Sequence, residues 1–343
     1  MKISLDAFGG DLAPEVNIRG ALDFVNESQA HVILTGDEGK LKSLLGAGHP
    51  RISIVHAPEL IDMAEKASAQ LRNKKNTSMY KCVDLVVQGE ANASLSAGSS
   101  AAFMALSLLL LKRLKDVERP ALVTPVPTLK PFPTYCLDMG ANVDCKATHL
   151  VDFALMGHAY GQVMRGIKKP RIGLISNGEE ESKGNELTRE THSLLKQIPS
   201  INYAGYCEGR DIFTGEYDVI ICDGFVGNVI LKTAEGLGEA IMELLKQSFS
   251  SSISGKLGYL LAKSSLRPLK KKLDYAEYGA APLLGIGGLS LICHGRSSTL
   301  AIKNALHMAE KTAKEGLVDR LREALDLSVI KPVSTQSAEV TTP

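Results

Sequence analysis

Short apolar runs alternate with helical patterns along this chain, and most runs end in a turn that combines Gly with Asp, Asn or Ser. The runs are MKISLDA (1–7), HVILTG (31–36), RISIVHA (51–57), ASLSAG (93–98), PALVTPV (120–126), RIGLISN (171–177) and YDVIICDG (217–224). Near-continuous apolar strands are buried on both faces, and strands separated by helices return parallel to one another. The pattern predicts an α/β fold: a three-layer α/β/α sandwich with a mostly parallel sheet. Helices are expected from Pro14 to about Asn26, over 78–89, over 99–113 and over 297–315, with Pro14 at the first helical position. No Pro/Gly/Ser-rich linker divides the chain. Residues 1–332 are therefore expected to form one α/β unit with interwoven lobes, and the polar segment 333–343 a disordered tail.

Composition narrows the function. The 39 Lys and Arg against 38 Asp and Glu leave a net charge of +1, without the basic excess of a nucleic-acid binder. Aromatic residues are 5% and Trp is absent, which does not suit a base-stacking platform. The longest apolar stretch, 101–111, falls far short of the ~18–20 residues a spanning helix needs. The amino terminus turns polar within its first six residues and does not read as a secretory leader. Cys82, Cys136, Cys145, Cys207, Cys222 and Cys293 share no metal-like spacing and read as buried thiols of a reducing compartment. A cytoplasmic protein is expected.

The chemistry is concentrated in six turns: 6–14, 96–104, 138–144, 176–186, 222–232 and 279–288. In open α/β sheets ligands sit outside the carboxyl ends of the strands. Glycines there let backbone N–H groups approach an anion, and the following helix adds a favourable dipole. The repetition predicts an anionic ligand. Gly9-Gly10-Asp11 is neither a dinucleotide loop nor a P-loop, and Gly285-Ile286-Gly287-Gly288 precedes a strand, so no nucleotide cofactor is indicated. No GxSxG elbow is present. His294 ends an apolar strand beside Gly295 and Ser297, and Lys183 and Asn185 are candidate anion ligands. Asp211 and Asp223 are candidates to orient other side chains, with local capping as their alternative role. Cys222 ends an apolar strand and reads as structural.

Residues 255–273 differ from the rest. Leu257, Leu260 and Leu261 fall on one helical face, and Leu266, Leu269 and Leu273 on another after a break near Ser264–Ser265, with Pro268 kinking or restarting the second piece. Lys256, Lys263, Arg267, Lys270, Lys271 and Lys272 make the segment strongly basic. A surface helical hairpin is expected, facing anionic lipid, an acidic carrier protein or a second subunit.

The blocks DAFGGDLAP, SAGSSAAFMA, LDMGAN, NGEEESKGN, EGRDIFTGEYDVIICDGFVGNVILK, DYAEYGAAPLLG and HGRSS occur in this order. Together, from about residue 1 to 325, they resemble the PlsX-type phosphate acyltransferases of bacterial phospholipid synthesis. Departures fall at Phe8, at Ser99–Ser100–Ala101 and at Ala280, where the family usually reads DAMGGD, SAGNTGA and YGGAPLLG. The resemblance implies transfer of a fatty acyl group from an acyl carrier protein thioester to inorganic phosphate, giving acyl phosphate. It also implies a fold like phosphate acetyltransferases and isopropylmalate-type dehydrogenases, and a homodimer loosely attached to the membrane. The partners implied are acyl carrier protein, inorganic phosphate, and the membrane surface or a membrane acyltransferase that uses acyl phosphate. No cofactor and no metal is expected, because a thioester is already activated and phosphate is itself a nucleophile. On this reading Gly9, Gly10, Asp11, Ser96, Gly98 and Gly178 are expected to hold phosphate. Lys183, Asn185, Asn228 and Asp223 would add charge and hydrogen bonds, and His294 would polarise the carbonyl or assist the leaving sulfur. Two rival functions are an NAD-dependent decarboxylating dehydrogenase, for which no acidic DxxxD cluster is found, and a non-enzymatic peripheral membrane scaffold.

Overall fold

The computed structural model describes residues 1–62, 68–273 and 275–326, with the backbone alone at Leu269, Lys270, Leu273 and Tyr275. The expected tail 333–343 lies outside the described residues. In chain order the strands are β1 (Lys2–Asp6), β2 (His31–Gly36), β3 (Ile52–His56), β4 (Ala93–Ser96), β5 (Ala121–Leu122), β6 (Thr124–Val126), β7 (Thr134–Leu137), β8 (Arg171–Ile175), β9 (Asn202–Cys207), β10 (Val219–Ile221), β11 (Ala281–Leu284) and β12 (Ser290–Ile292). The α-helices are α1 (Glu15–Glu27), α2 (Glu38–Leu45), α3 (Ser78–Val87), α4 (Ser100–Leu111), α5 (Ala147–Arg165), α6 (Glu186–Leu195), α7 (Gly224–Ser250), α8 (Ile253–Leu273), α9 (Thr299–Lys314) and α10 (Leu317–Asp326).

The strands form two sheets, ordered β3-β2-β1-β4-β12-β11-β5 and β6-β7-β10-β8-β9. Pairing is parallel except where β11 meets β12 and β5, and where β6 meets β7. The run 120–126, expected as one strand, serves both sheets. Leu122 pairs with Leu283 of β11, the Val123 N–H donates to the Pro282 carbonyl, and Thr124 already pairs with Cys136 of β7. Pro125, which has no N–H to give, sits on the outermost strand of the second sheet. The sixth expected turn is also different. Residues 281–284 are the antiparallel strand β11, and its place among the strand–turn–helix units is taken by the turn between β12 and α9.

One apolar cluster runs through both sheets. It holds Leu5, Leu95 and Leu291 from the first and Leu137, Ile172 and Val219 from the second, with Phe153 and Tyr160 of α5 between them. Helix α5 comes close because Gly157 has no side chain; a Cβ there would stand 2.7 Å from Val219 Cγ1. Six of the helices start on a polar capping residue. Asp37, Thr77, Ser99, Asn185, Asp223 and Ser298 each accept an N–H from the first helical turn. Pro14 stands at the N-cap of α1 rather than inside the helix.

The segment 255–273 corrects an expectation. It contains no break at Ser264–Ser265; α8 is one 21-residue helix that continues through Pro268. The hairpin partner is α7, 27 residues long, and Phe249 meets Tyr259 across the turn at 5.6 Å. Proline removes one backbone bond from a helix, and the neighbouring turns of α8 carry the helix past it. Five of the six cysteines are buried as expected, whereas Cys145 is half-buried.

Two outcomes follow from this packing. In α7 a Cβ on Gly227 would lie 1.9 Å from the Asp138 carbonyl oxygen, so Gly227→Ala should cost about 1–3 kcal/mol of stability, read as a lower urea midpoint. Asp152 of α5 lies near Glu118 and Asp116, and burial chiefly pushes its carboxyl up to about 7. The folded state thus favours the protonated acid, and this contribution, full below pH ~4, is lost as the pH rises through ~7. Urea midpoints should therefore fall across that window, and Asp152→Asn should flatten the slope.

Candidate active site

Strands β1, β4 and β12 are neighbours, so the turns at their carboxyl ends meet. Asp6, the last residue of β1, is fully buried, and its Oδ2 accepts the Ser96 hydroxyl at 2.7 Å. Ser96 Oγ in turn accepts the Gly98 N–H at 3.0 Å. Gly9 closes over this pair; a Cβ there would lie 2.6 Å from Asp6 Oδ2 and 2.7 Å from the Gly98 nitrogen. Asn17 of α1 clamps the turn from below, donating to the carbonyls of Asp6, Ala7 and Gly9. The Asp11 N–H donates to the Gly295 carbonyl at 2.8 Å, joining the first turn to the turn after β12. There His294 is exposed, and its Nδ1 accepts the Arg296 N–H at 3.1 Å, which puts the proton of the neutral ring on Nε2. Arg296 is exposed beside it. The N–H groups of Asp11 and Gly98 and the hydroxyl of Ser96, expected to face phosphate, are thus engaged within the turns.

A second group forms at the carboxyl ends of β7, β8 and β10. Asp138 Oδ1 accepts the N–H groups of Leu122 and Ala141 at 2.9 and 3.1 Å. Its Oδ2 accepts the backbone and side-chain nitrogens of Asn142 at 2.7 and 2.9 Å. Asn142 also donates to the Pro120 carbonyl and accepts the Gly224 N–H, which seats the start of α7. Asn228 is exposed on the first turns of α7, opposite Gly140. The half-buried Lys183 lays its aliphatic stem over Gly178, where a Cβ would lie 2.7 Å from Lys183 Cγ. Asn185 and Asp223 use their side-chain oxygens as helix caps.

Burial raises the pKa of every cysteine thiol, Cys82 and Cys136 to about 12 and Cys145 to about 11, so none is a ready thiolate nucleophile near neutral pH. Burial likewise raises the carboxyls of Asp6 and Asp138 above the ordinary range, against the bonds that favour their charged forms. Sequence reasoning missed Asp6, Asn17, Asp138, Asn142 and Arg296 as site residues. For the two acids the signal was an Asp that ends an apolar strand just before a Gly turn. A cavity of about 310 Å³ opens beside the first group, between the turn after β1, residues 60–62 and the start of α3.

Away from these turns, Leu257, Leu260 and Leu261 of α8 are 58%, 66% and 85% exposed, and Lys263 and Arg267 are exposed as well. Lys271 pairs with Glu277 at 3.4 Å and Lys272 donates to the Lys130 carbonyl, so both tie α8 back to the body. The side chain of Lys270 lies outside the described residues. No helix among the described residues is long and apolar enough to cross a membrane.

A family model described as "Fatty acid synthesis protein" matches residues 1–320. The phosphate acyltransferase of Thermodesulfovibrio yellowstonii is 51% identical over 329 residues, covering 95% of this chain and 94% of that protein. That of Geobacter sulfurreducens is 49% identical with the same coverage. Among solved structures, the EutD phosphotransacetylase from Staphylococcus aureus superposes with a TM-score of 0.58 at 16% identity, over 92% of this chain and 94% of its own, a likeness of fold. With near-complete coverage at about half identity, and the Gly-rich turns assembled at the carboxyl edges of two mostly parallel sheets, the chain belongs to the PlsX-type family of phosphate acyltransferases, enzymes of the acyltransferase class.

Proposed function

We propose that this enzyme moves a fatty acyl group from an acyl carrier protein thioester to inorganic phosphate, releasing acyl phosphate and the carrier thiol. The observation that carries the reading is the junction of the turns after β1, β4 and β12, with His294 and Arg296 at its surface. Phosphate binds at that junction, beside Gly10 and Asp11, with Arg296 supplying charge. One phosphate oxygen attacks the thioester carbonyl carbon. The carbonyl oxygen takes up negative charge, and the Nε2–H of His294 donates to it. The C–S bond then breaks, the sulfur leaves as thiolate and takes a proton from solvent, and the new C–O bond remains in acyl phosphate. Lys183 and Asn228 supply further charge and hydrogen bonds from the second group of turns. No thiol is needed as a nucleophile, in keeping with the raised pKa values of the cysteines.

The chain works as one catalytic unit with interwoven lobes, as a homodimer, and without a cofactor. Helix α8 carries it to the membrane surface, where acyl phosphate is consumed by an acyltransferase. The exposed Leu257, Leu260 and Leu261 dip into lipid and Lys263 and Arg267 face anionic headgroups.

The reaction is tested by incubating the protein with palmitoyl carrier protein and phosphate and trapping acyl phosphate with hydroxylamine. Phosphate-dependent hydroxamate is expected, and His294→Ala should slow its formation by about 10²-fold. Lys183→Ala should also slow it; a folded variant turning over at the normal rate would remove that residue from the site. Replacing Leu257, Leu260 and Leu261 with Ser should leave the protein in the supernatant when anionic liposomes are pelleted, with hydroxamate formation intact.

A further inference from the structure

We infer that the cavity beside β1 receives the uncharged, amide-bearing arm through which a carrier protein or coenzyme A presents its acyl thioester, and that Asp6 is the residue that reads this arm. The inference rests on the acyl-transfer reading above and names the place of its first substrate.

Four observations carry it. First, Asp6 is 1% exposed and lines the cavity, yet its Oδ1 has no hydrogen-bond partner. The Ser78 hydroxyl and the Phe8 and Gly9 N–H groups stand near enough to favour the charged carboxyl, and none meets hydrogen-bond geometry at Oδ1. Buried oxygens of this kind are almost always satisfied, and a ligand N–H or O–H would satisfy this one. Second, the charge in the cavity is wrong for phosphate. Among the described residues its lining holds two acids, Asp6 and Asp62, and no Lys, Arg or His. A phosphate dianion placed there would stand beside the buried Asp6 carboxyl with no cation among the described lining residues.

Third, the remaining walls are apolar, formed by Phe8, Leu60, Ile61 and Met79, with backbone at Gly9 and Gly98. A fatty chain would cover those walls but leave Oδ1 unpaired. An arm that alternates methylene groups with amides covers the walls and pairs the oxygen. Both protonation states of the carboxyl suit an amide, since the carboxylate accepts from N–H and the acid donates to C=O. The volume of about 310 Å³ stands at the small end of the ~300–1,000 Å³ of small-molecule sites, a size for a slender arm. Fourth, the cavity ends beside the proposed phosphate site. Gly10 lines the cavity, and a Cβ on it would lie 3.1 Å from the Gly295 carbonyl oxygen in the His294 turn. An arm seated against Asp6 thereby delivers its thioester to that turn.

The probe is S-acetylpantetheine, which is uncharged and carries neither protein nor nucleotide. Saturation-transfer NMR on the full chain should show contact to its methylene protons, unaltered by added phosphate. Leu60 is 55% exposed, so Leu60→Trp narrows the cavity without disturbing the core, and it should abolish the contact. Asp6→Asn presents an amide in place of the carboxyl, and it should weaken the contact. In steady-state assays both variants should raise KM for the acyl thioester by about ten- to hundredfold, and Leu60→Trp should leave KM for phosphate within about twofold. Should Asp6→Asn fail to fold, Leu60→Trp decides alone. The inference is overturned if S-acetylpantetheine makes no contact, if contact persists undiminished in Leu60→Trp, or if Leu60→Trp raises the KM for phosphate instead. Contact is read without turnover, so a native protein that binds the arm but forms no acyl phosphate would refute the reaction and leave the arm site standing.

Discussion

The carboxyl of Asp138 is the interaction on which the arrangement of the two sheets depends. It lies at the end of β7 in the second sheet, yet one of its bonds reaches Leu122 of β5 in the first. Its other donors, from Ala141 and Asn142, shape the turn that follows. Asn142 then holds Pro120 and the first residue of α7, so the start of that helix inherits its position from the same group. Burial makes the carboxyl costly to leave alone, and four donors offset that cost. Removing the acid would strand three backbone N–H groups and one side-chain amide in the interior. Asp6 does the equivalent work one sheet away, tying the turn after β1 to the turn after β4 through Ser96. Each sheet thus organises its carboxyl edge around one buried acid.

Much of the fold was legible as pattern. HVILTG is a strand from its first residue to its last, and the helices after β3, β4 and β12 fall within a few residues of expectation. What could not be read is what depends on partners distant in sequence. The run PALVTPV looks like one strand because every residue in it suits a strand. Its division at Val123 is set by β11 on one side and β7 on the other. β9 escaped notice because NYAGYC mixes Gly and Tyr with small residues and only its last two residues are buried. In α8 the pair Ser264–Ser265 and Pro268 look like punctuation, but packing along α7 keeps the helix continuous.

The candidate site was legible in its location and less so in its roles. The turns were recognisable because Gly recurs at strand ends, and the structure gathers them at the carboxyl edges. Asn185 was expected as an anion ligand and Asp223 as an orienting residue or a cap, and both side-chain oxygens cap helices. Ser99, a departure from the usual family motif, caps α4 as well, so that substitution keeps a helix start. Asp6 and Asp138 were passed over because an Asp before Gly reads as turn chemistry. Only tertiary structure reveals that each is buried and surrounded by donors from other segments.

The passage of the chain between the sheets has a consequence for how the protein emerges from a ribosome. Strands β6 to β10 are consecutive, so the second sheet is complete once residue 221 has been made. The first sheet is not. Its centre, between β4 and β5, is filled by β12 and β11, which come some 70 residues later in the chain. At a synthesis rate of about 5–20 residues per second, β4 stands as an open edge for many seconds, and the long α7–α8 hairpin is made during that interval. The nascent protein therefore holds its finished half before the seam on the other half can close, and the last strands to be translated enter at the middle of a sheet already begun.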